Sequence, residues 1–144
     1  MEKINISSLE DLKKYAKTLA SELSLGDIVV LSGDLGSGKT TFVQLLAQAF
    51  DIPDKVTSPT YTYIHEYKIP QFAKESGILA HMDFYRIENE QVFHTIGTGD
   101  YLGSPHVINI IEWGEKFESL LPFVSKKIEF ILEEDKTRTL LVHK

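Results

Sequence analysis

The stretch Gly33-Asp34-Leu35-Gly36-Ser37-Gly38-Lys39-Thr40 fits the pattern G-x-x-x-x-G-K-[ST] without a mismatch. Each fixed position has a task on a polyphosphate. The glycines allow a tight loop whose backbone N–H groups turn inward around phosphate oxygens. Lys39 supplies a mobile point charge for the β- and γ-phosphates, and the Thr40 hydroxyl can ligate Mg²⁺. A glycine-rich turn could match such a pattern by accident, but the flanks argue against that. Ile28-Val29-Val30-Leu31 before the loop reads as a buried strand. Thr41 to Phe50 after it reads as an amphipathic helix, with apolar Phe42, Val43, Leu45, Leu46, Ala49 and Phe50. A helix N-terminus aimed at phosphate adds unpaired N–H groups and a positive dipole end. The expectation is a nucleotide-binding chain.

Turnover needs more than a phosphate loop: a carboxylate beside Mg²⁺ and a group that positions the nucleophile. In an open parallel sheet such groups stand at the carboxyl ends of strands. Two acids qualify, Asp83 after Ile78-Leu79-Ala80-His81-Met82 and Glu112 after Val107-Ile108-Asn109-Ile110-Ile111. The second run is the more strand-like and reads as central and parallel. Glu112 is therefore favoured on the Mg²⁺ side, and Asp83 as the residue that orients or deprotonates a water; the bland reading is that either acid caps a turn. Thr57-Ser58-Pro59-Thr60 follows the loop's helix, where a mobile γ-phosphate sensor can sit. The hydroxyl of Thr57 or Thr60 could reach phosphate or Mg²⁺, and an ordinary Ser-Pro turn is the alternative. The five histidines show no metal-ligand spacing, so no zinc site is expected. The Tyr61, Tyr63 and Tyr67 stripe reads as a packed sheet face, and Trp113 as cover for the core beside Glu112.

The elements that must carry these groups fit one domain spanning residues 1–144, with no repeat and no linker. Ser7-Ser8-Leu9-Glu10 reads as a capping box with Ser7 as N-cap. The helix that follows would bury Leu9, Leu12, Tyr15, Ala16, Leu19, Ala20 and Leu23. Thr60 to Tyr67 and Ile78 to Asp83 read as an antiparallel hairpin across the polar segment Lys68 to Ser76. Glu88 to Phe93 reads as a short helix, and Lys127 to Leu132 with Arg138 to His143 as a terminal strand pair. Apolar runs are strand-length, so no membrane span is expected, and the charged N-terminus lacks a signal-peptide apolar segment. The absence of cysteine suits a reducing cytoplasm. A net charge of −6 argues against a broad nucleic-acid surface.

Taken together, the phosphate loop through Thr41, Ser58-Pro59-Thr60-Tyr61-Thr62, His81-Met82-Asp83-Phe84-Tyr85-Arg86 and Ile111-Glu112-Trp113 resemble the TsaE (YjeE) family in order and spacing. These are small P-loop ATPases of tRNA threonylcarbamoyladenosine biosynthesis. The resemblance implies an α/β fold, a central mostly parallel sheet flanked by helices with antiparallel strand additions. It implies an ATP- and Mg²⁺-dependent ATPase, weak alone, that acts on a TsaB–TsaD pair and meets tRNA only indirectly. By motif match Gly36, Ser37, Gly38, Lys39, Thr40 and Thr41 would hold phosphate, and Thr40 with Glu112 would hold Mg²⁺. Asp83, Lys39 and Thr60 would be catalytic, and Arg138 would lie near the nucleotide.

One departure stands out: Gln44-Leu45 occupies the place where the family commonly has Arg-Gly. The competing reading is a small-molecule kinase, whose lid would have to be Lys68 to Ser76. A guanine-specific switch is disfavoured because no Asn-Lys-x-Asp segment occurs.

Overall fold

The computed structural model describes residues 1–59 and 62–144. The strands are β1 (Glu2–Ile6), β2 (Ile28–Ser32), β3 (Ile64–Lys68), β4 (Ile78–Asp83), β5 (Val107–Glu112), β6 (Lys126–Leu132) and β7 (Arg138–His143). The α-helices are α1 (Leu9–Glu22), α2 (Lys39–Ala49) and α3 (Glu90–Thr95). All the strands join one sheet in the order β1-β7-β6-β2-β5-β4-β3. Its centre, β6-β2-β5-β4, is parallel, while β3 and the β7-β1 pair add antiparallel edges. This is the α/β architecture expected from the sequence. The chain runs from β2 through α2 to β3 at the far edge, returns through β4 and β5, then crosses to β6 on the other side of β2. A crevice therefore opens at the carboxyl end of β2, where such sheets receive ligands.

Strand alternation sorts the core onto two faces. Val29 and Leu31 of β2 pack with Leu12, Leu19, Phe42 and Leu46 of α1 and α2. Ile28 and Val30 pack on the opposite face with Met82, Phe84, Phe93 and Ile111. Because both faces are covered, β2 and β5 read as near-continuous apolar runs rather than alternating ones, with Asn109 the polar interruption inside β5. Phe42, wholly buried, ties α2 down by stacking on Tyr15 at 5.8 Å and meeting Phe130 edge-on at 5.6 Å. An aromatic pair of this kind adds about 0.5–1.5 kcal/mol beyond area burial. The phosphate loop's helix is thus held by its own apolar face.

Several local expectations shift. Ser8, not Ser7, caps α1: its hydroxyl accepts from Asp11 N–H at 3.1 Å. Asp11, not Glu10, reaches back, accepting from the Ser7 N–H at 3.0 Å and hydroxyl at 2.8 Å. The box has moved one residue on, and Leu9 is 63% exposed rather than buried. Leu12, Tyr15, Ala16 and Leu19 keep their common face, which decides the phase. The strand expected from Thr60 begins only at Ile64, because Tyr63 is left-handed (φ 67°) and breaks the alternation. The short helix expected over Glu88 to Phe93 starts after Asn89, whose side chain accepts from Val92 N–H. The edge strand β1 has no counterpart among the sequence expectations: it is short and polar, and Ile6 is its one buried residue. Among the described residues no helix is long and apolar enough to cross a membrane.

Candidate nucleotide and metal site

The loop leaves β2 at Gly33, where φ is 137° and a Cβ would fall 2.6 Å from the Phe130 carbonyl oxygen. Neither the backbone angle nor the space admits a side chain, so β6 presses the loop's first turn into shape. Gly33→Ala is expected to lower unfolding free energy by roughly 1–2 kcal/mol or more. Urea unfolding measures this, and an unchanged midpoint would show that the loop is not clamped there. At the other end Gly38 is the N-cap of α2 in left-handed geometry (φ 104°) and makes no side-chain cap bond. The first N–H groups of a helix lack intrahelical acceptors and face any anion placed there.

Lys39 and Thr40 open α2. The Lys39 side chain is 4% exposed, and its ammonium donates to the Gly33 carbonyl and lies 4.0 Å from the Trp113 ring centroid. Burial pulls its pKa below the ordinary lysine value, against the opposing pull of Glu112, Glu115, Asp83 and Asp34. The Trp113 ring therefore lies against the loop's lysine, a cation–π contact, and its backbone is left-handed (φ 62°). The Thr40 hydroxyl donates toward Glu112 Oε1 and Oε2 at 3.3 and 3.2 Å.

Both acids end parallel strands, and register sets Asp83 of β4 directly beside Glu112 of β5. Glu112 is 3% exposed, and its Oε2 lies 2.5 Å from Nε2 of fully buried His81. Asp83 accepts from the Tyr85 N–H at 3.0 Å. Its carboxyl is held above the usual aspartate value chiefly by burial, with the Glu112 charge adding. The Tyr85 hydrogen bond, His81 and Lys39 oppose that shift. A carboxylate so placed takes up a proton more readily than an exposed one.

A cleft of about 450 Å³ collects these groups: Gly36, Lys39, Thr40, Thr41, Asp83 and Glu112 line it, with Ser58, Arg86, Trp113 and Arg138. Arg138 donates through Nε to the Ser37 carbonyl at 2.7 Å, bracing the loop from β7. A second hollow of about 230 Å³ lies on the α1 side of the same loop, bounded by Ile6, Leu9 and Leu12 and sharing Gly38, Thr41 and Arg138 with the cleft. Ser37, expected to hold phosphate, is buried and lies outside the cleft lining, beside Gly33. Thr60 lies outside the described residues. Hydroxyl and carboxylate are the hard oxygen donors Mg²⁺ prefers, so Thr40 and Glu112 fit that ion.

Three supporting contacts had gone unread in the sequence. Gln44 donates to the Val56 carbonyl at 3.1 Å, so the residue standing in the family's arginine position tethers the segment leading to Thr57. The Thr57 N–H donates to the Tyr67 hydroxyl at 3.4 Å. Lys116 donates to the Tyr85 and Ile87 carbonyls at 2.7 and 2.9 Å, binding the loop after Asp83 to the turn after Glu112. His81 carried a readable signal, since it lies two residues before Asp83 and so shares its strand face.

Comparison with known proteins agrees with the local geometry. Residues 6–140 match the family described as threonylcarbamoyl adenosine biosynthesis protein TsaE. The chain is 38% identical over 115 residues to the tRNA threonylcarbamoyladenosine biosynthesis protein TsaE of Bacillus subtilis (strain 168), covering 78% of this chain and 66% of that one. With the protein of the same description from Treponema pallidum (strain Nichols) it is 33% identical over 135 residues, covering 94% and 95%. The crystal structure of Bacillus subtilis YdiB superposes with a TM-score of 0.76 at 30% identity, covering 96% of this chain and 82% of that one. Motifs, sheet order and these similarities agree, and the chain belongs to the TsaE family of threonylcarbamoyladenosine biosynthesis proteins.

Proposed function

We infer that this protein binds ATP with Mg²⁺ and hydrolyses it as an accessory step in threonylcarbamoyladenosine modification of tRNA, acting on a TsaB–TsaD complex. The observation that carries this reading is the meeting of Thr40 and Glu112 at 3.2 Å, with Asp83 in register beside Glu112, above a phosphate loop. Lys39 and the open end of α2 would hold the β- and γ-phosphates. Thr40 and Glu112 would hold Mg²⁺. That ion supplies charge neutralisation on the phosphate oxygens as the γ-phosphoryl group departs.

The residues then divide the work. Asp83 has one oxygen occupied by the Tyr85 N–H, which leaves the other to orient a water and accept its proton. The water oxygen bonds to the γ-phosphorus, the bond to the β,γ-bridging oxygen breaks, and ADP and phosphate leave. Arg138 and Thr41 lie where cleft and hollow meet, and apolar Ile6, Leu9 and Leu12 suit the nucleoside end. The net charge of −6 supports a role in which a partner holds the tRNA.

Geometry disfavours the kinase reading. The segment Lys68 to Ser76 joins the end of β3 to the start of β4 through a 3-10 turn at Pro70–Glu75. Because β4 runs parallel to β2, that turn lies at the opposite end of the strands from the phosphate loop and cannot close over it. Phosphate release from ATP, measured with and without TsaB–TsaD, tests the proposal. A rate that rises with the pair is expected. Phosphate transfer to an added metabolite, or binding without turnover under either condition, would overturn it.

A further inference from the structure

His81 is the most completely buried ionisable side chain near the cleft, at 0% exposure, and no substrate atom can touch it. It lies on β4 in register with Ile110, two positions before the Asp83–Glu112 pair and so on the same sheet face. Its Nε2 meets Glu112 Oε2 at 2.5 Å. With the Glu112 carboxylate as acceptor, the ring donates through Nε2. Nδ1 has no partner among the described residues. The Glu112 carboxylate is thus the ring's one hydrogen-bond partner among the described residues.

That carboxylate ends a side chain with three rotatable bonds. Thr40 cannot choose its rotation, because the hydroxyl lies almost equally far from both oxygens, at 3.3 and 3.2 Å. The contact from His81 is made to Oε2 alone. The geometry points to His81 as a positioning residue: it pins Oε2 from the core side, so that Oε1 and the Thr40 hydroxyl form the oxygen pair offered to the cleft. Groups that orient a metal ligand from behind tune metal affinity in this way. The inference rests on the reading of Thr40 and Glu112 as the Mg²⁺ pair.

The test compares the full-length protein with His81→Leu, which removes the donor, and His81→Gln, whose amide N–H can approach the Nε2 position. Binding of methylanthraniloyl-ATP is titrated with Mg²⁺ and, separately, in EDTA. His81→Leu is expected to raise half-saturating Mg²⁺ by about 10–100-fold, with nucleotide affinity in EDTA within about twofold of the parent. His81→Gln should recover most of the Mg²⁺ response. If the leucine variant does not fold, His81→Asn, whose amide reaches only toward the Nδ1 position, takes its place as the deficient variant. An unchanged Mg²⁺ response in the deficient variant overturns the proposal. So does equal impairment of it and His81→Gln with the same loss of thermal midpoint, which marks a purely structural role. Glu112→Gln runs in parallel: if it leaves Mg²⁺ dependence unchanged, the metal assignment itself falls, and the positioning role with it.

Discussion

Asp83→Ala is expected to slow ATP hydrolysis by about 10²–10⁴-fold while ATP affinity stays within about threefold, the signature of a lost general base. The reason is local. The carboxyl ends β4 beside Glu112 and borders the cleft, and burial there favours its protonated form. A group in that environment is a better proton acceptor than a solvated aspartate, yet it adds little to ground-state binding of an anion. Single-turnover phosphate release and methylanthraniloyl-ATP binding separate the two effects. Turnover at the parent rate in the variant would remove Asp83 from the chemistry.

The same environment has a thermodynamic counterpart. A carboxyl whose pKa is higher folded than unfolded binds more protons in the folded state. Its contribution to stability therefore falls as pH rises from the unfolded value of 3.8 through the raised folded one. The cost grows with pH until the folded value is passed. Asp83→Asn is therefore expected to melt above the parent at pH 7, with the gap closing as pH falls below 3.8. Calorimetry across that range checks the sign, and a lower midpoint at pH 7 would show that the ionised group stabilises the fold. The placement proposed for catalysis works against stability.

Lys39→Ala is expected to weaken ATP binding by about 10–100-fold, since a hydrogen bond to a charged group contributes about 1.5–3 kcal/mol. The ammonium is buried, bonded to the Gly33 carbonyl, and set against the Trp113 ring among acidic neighbours. Burial makes the lone charge expensive, and a triphosphate would supply the counter-charge that the resting site gives only in part. Lys39→Arg should not restore binding, because a planar fork replaces a compact point charge in a space closed by Trp113. Calorimetric titration with ATP in Mg²⁺ measures the loss. Affinity within twofold of the parent would contradict the loop's assignment as a phosphate cradle.

How much of this could be read beforehand follows from the range over which each signal acts. The phosphate loop, β2 and α2 are contiguous, and their residue types constrain backbone angles directly, as Gly33 and Gly38 show. β5 was legible because a strand covered on both faces is mostly apolar, here Val107, Ile108, Ile110 and Ile111. β1 was not, since an edge strand with one buried residue carries almost no pattern. The phase of α1 was misjudged by one residue because adjacent serines both satisfy the capping rule. Only packing of Leu12 through Leu19 distinguishes Ser8 from Ser7. The Thr60 to Tyr67 alternation failed at Tyr63, where a left-handed backbone interrupts what looked continuous.

The candidate site divides along the same line. Residue types alone determined that a glycine-rich loop of phosphate-loop pattern joins β2 to α2 and that Asp83 and Glu112 stand at strand ends, because those properties depend on neighbours in the chain. Tertiary structure alone decided that Glu112 faces Thr40 across 72 residues, that Arg138 braces Ser37 across 101, and that His81 stands behind Glu112. It also placed the Pro70–Glu75 turn at the end of the strands away from the loop. Such pairings follow from strand order and register, which are set by backbone hydrogen bonds and packing summed over the whole sheet. No local run of side chains encodes them.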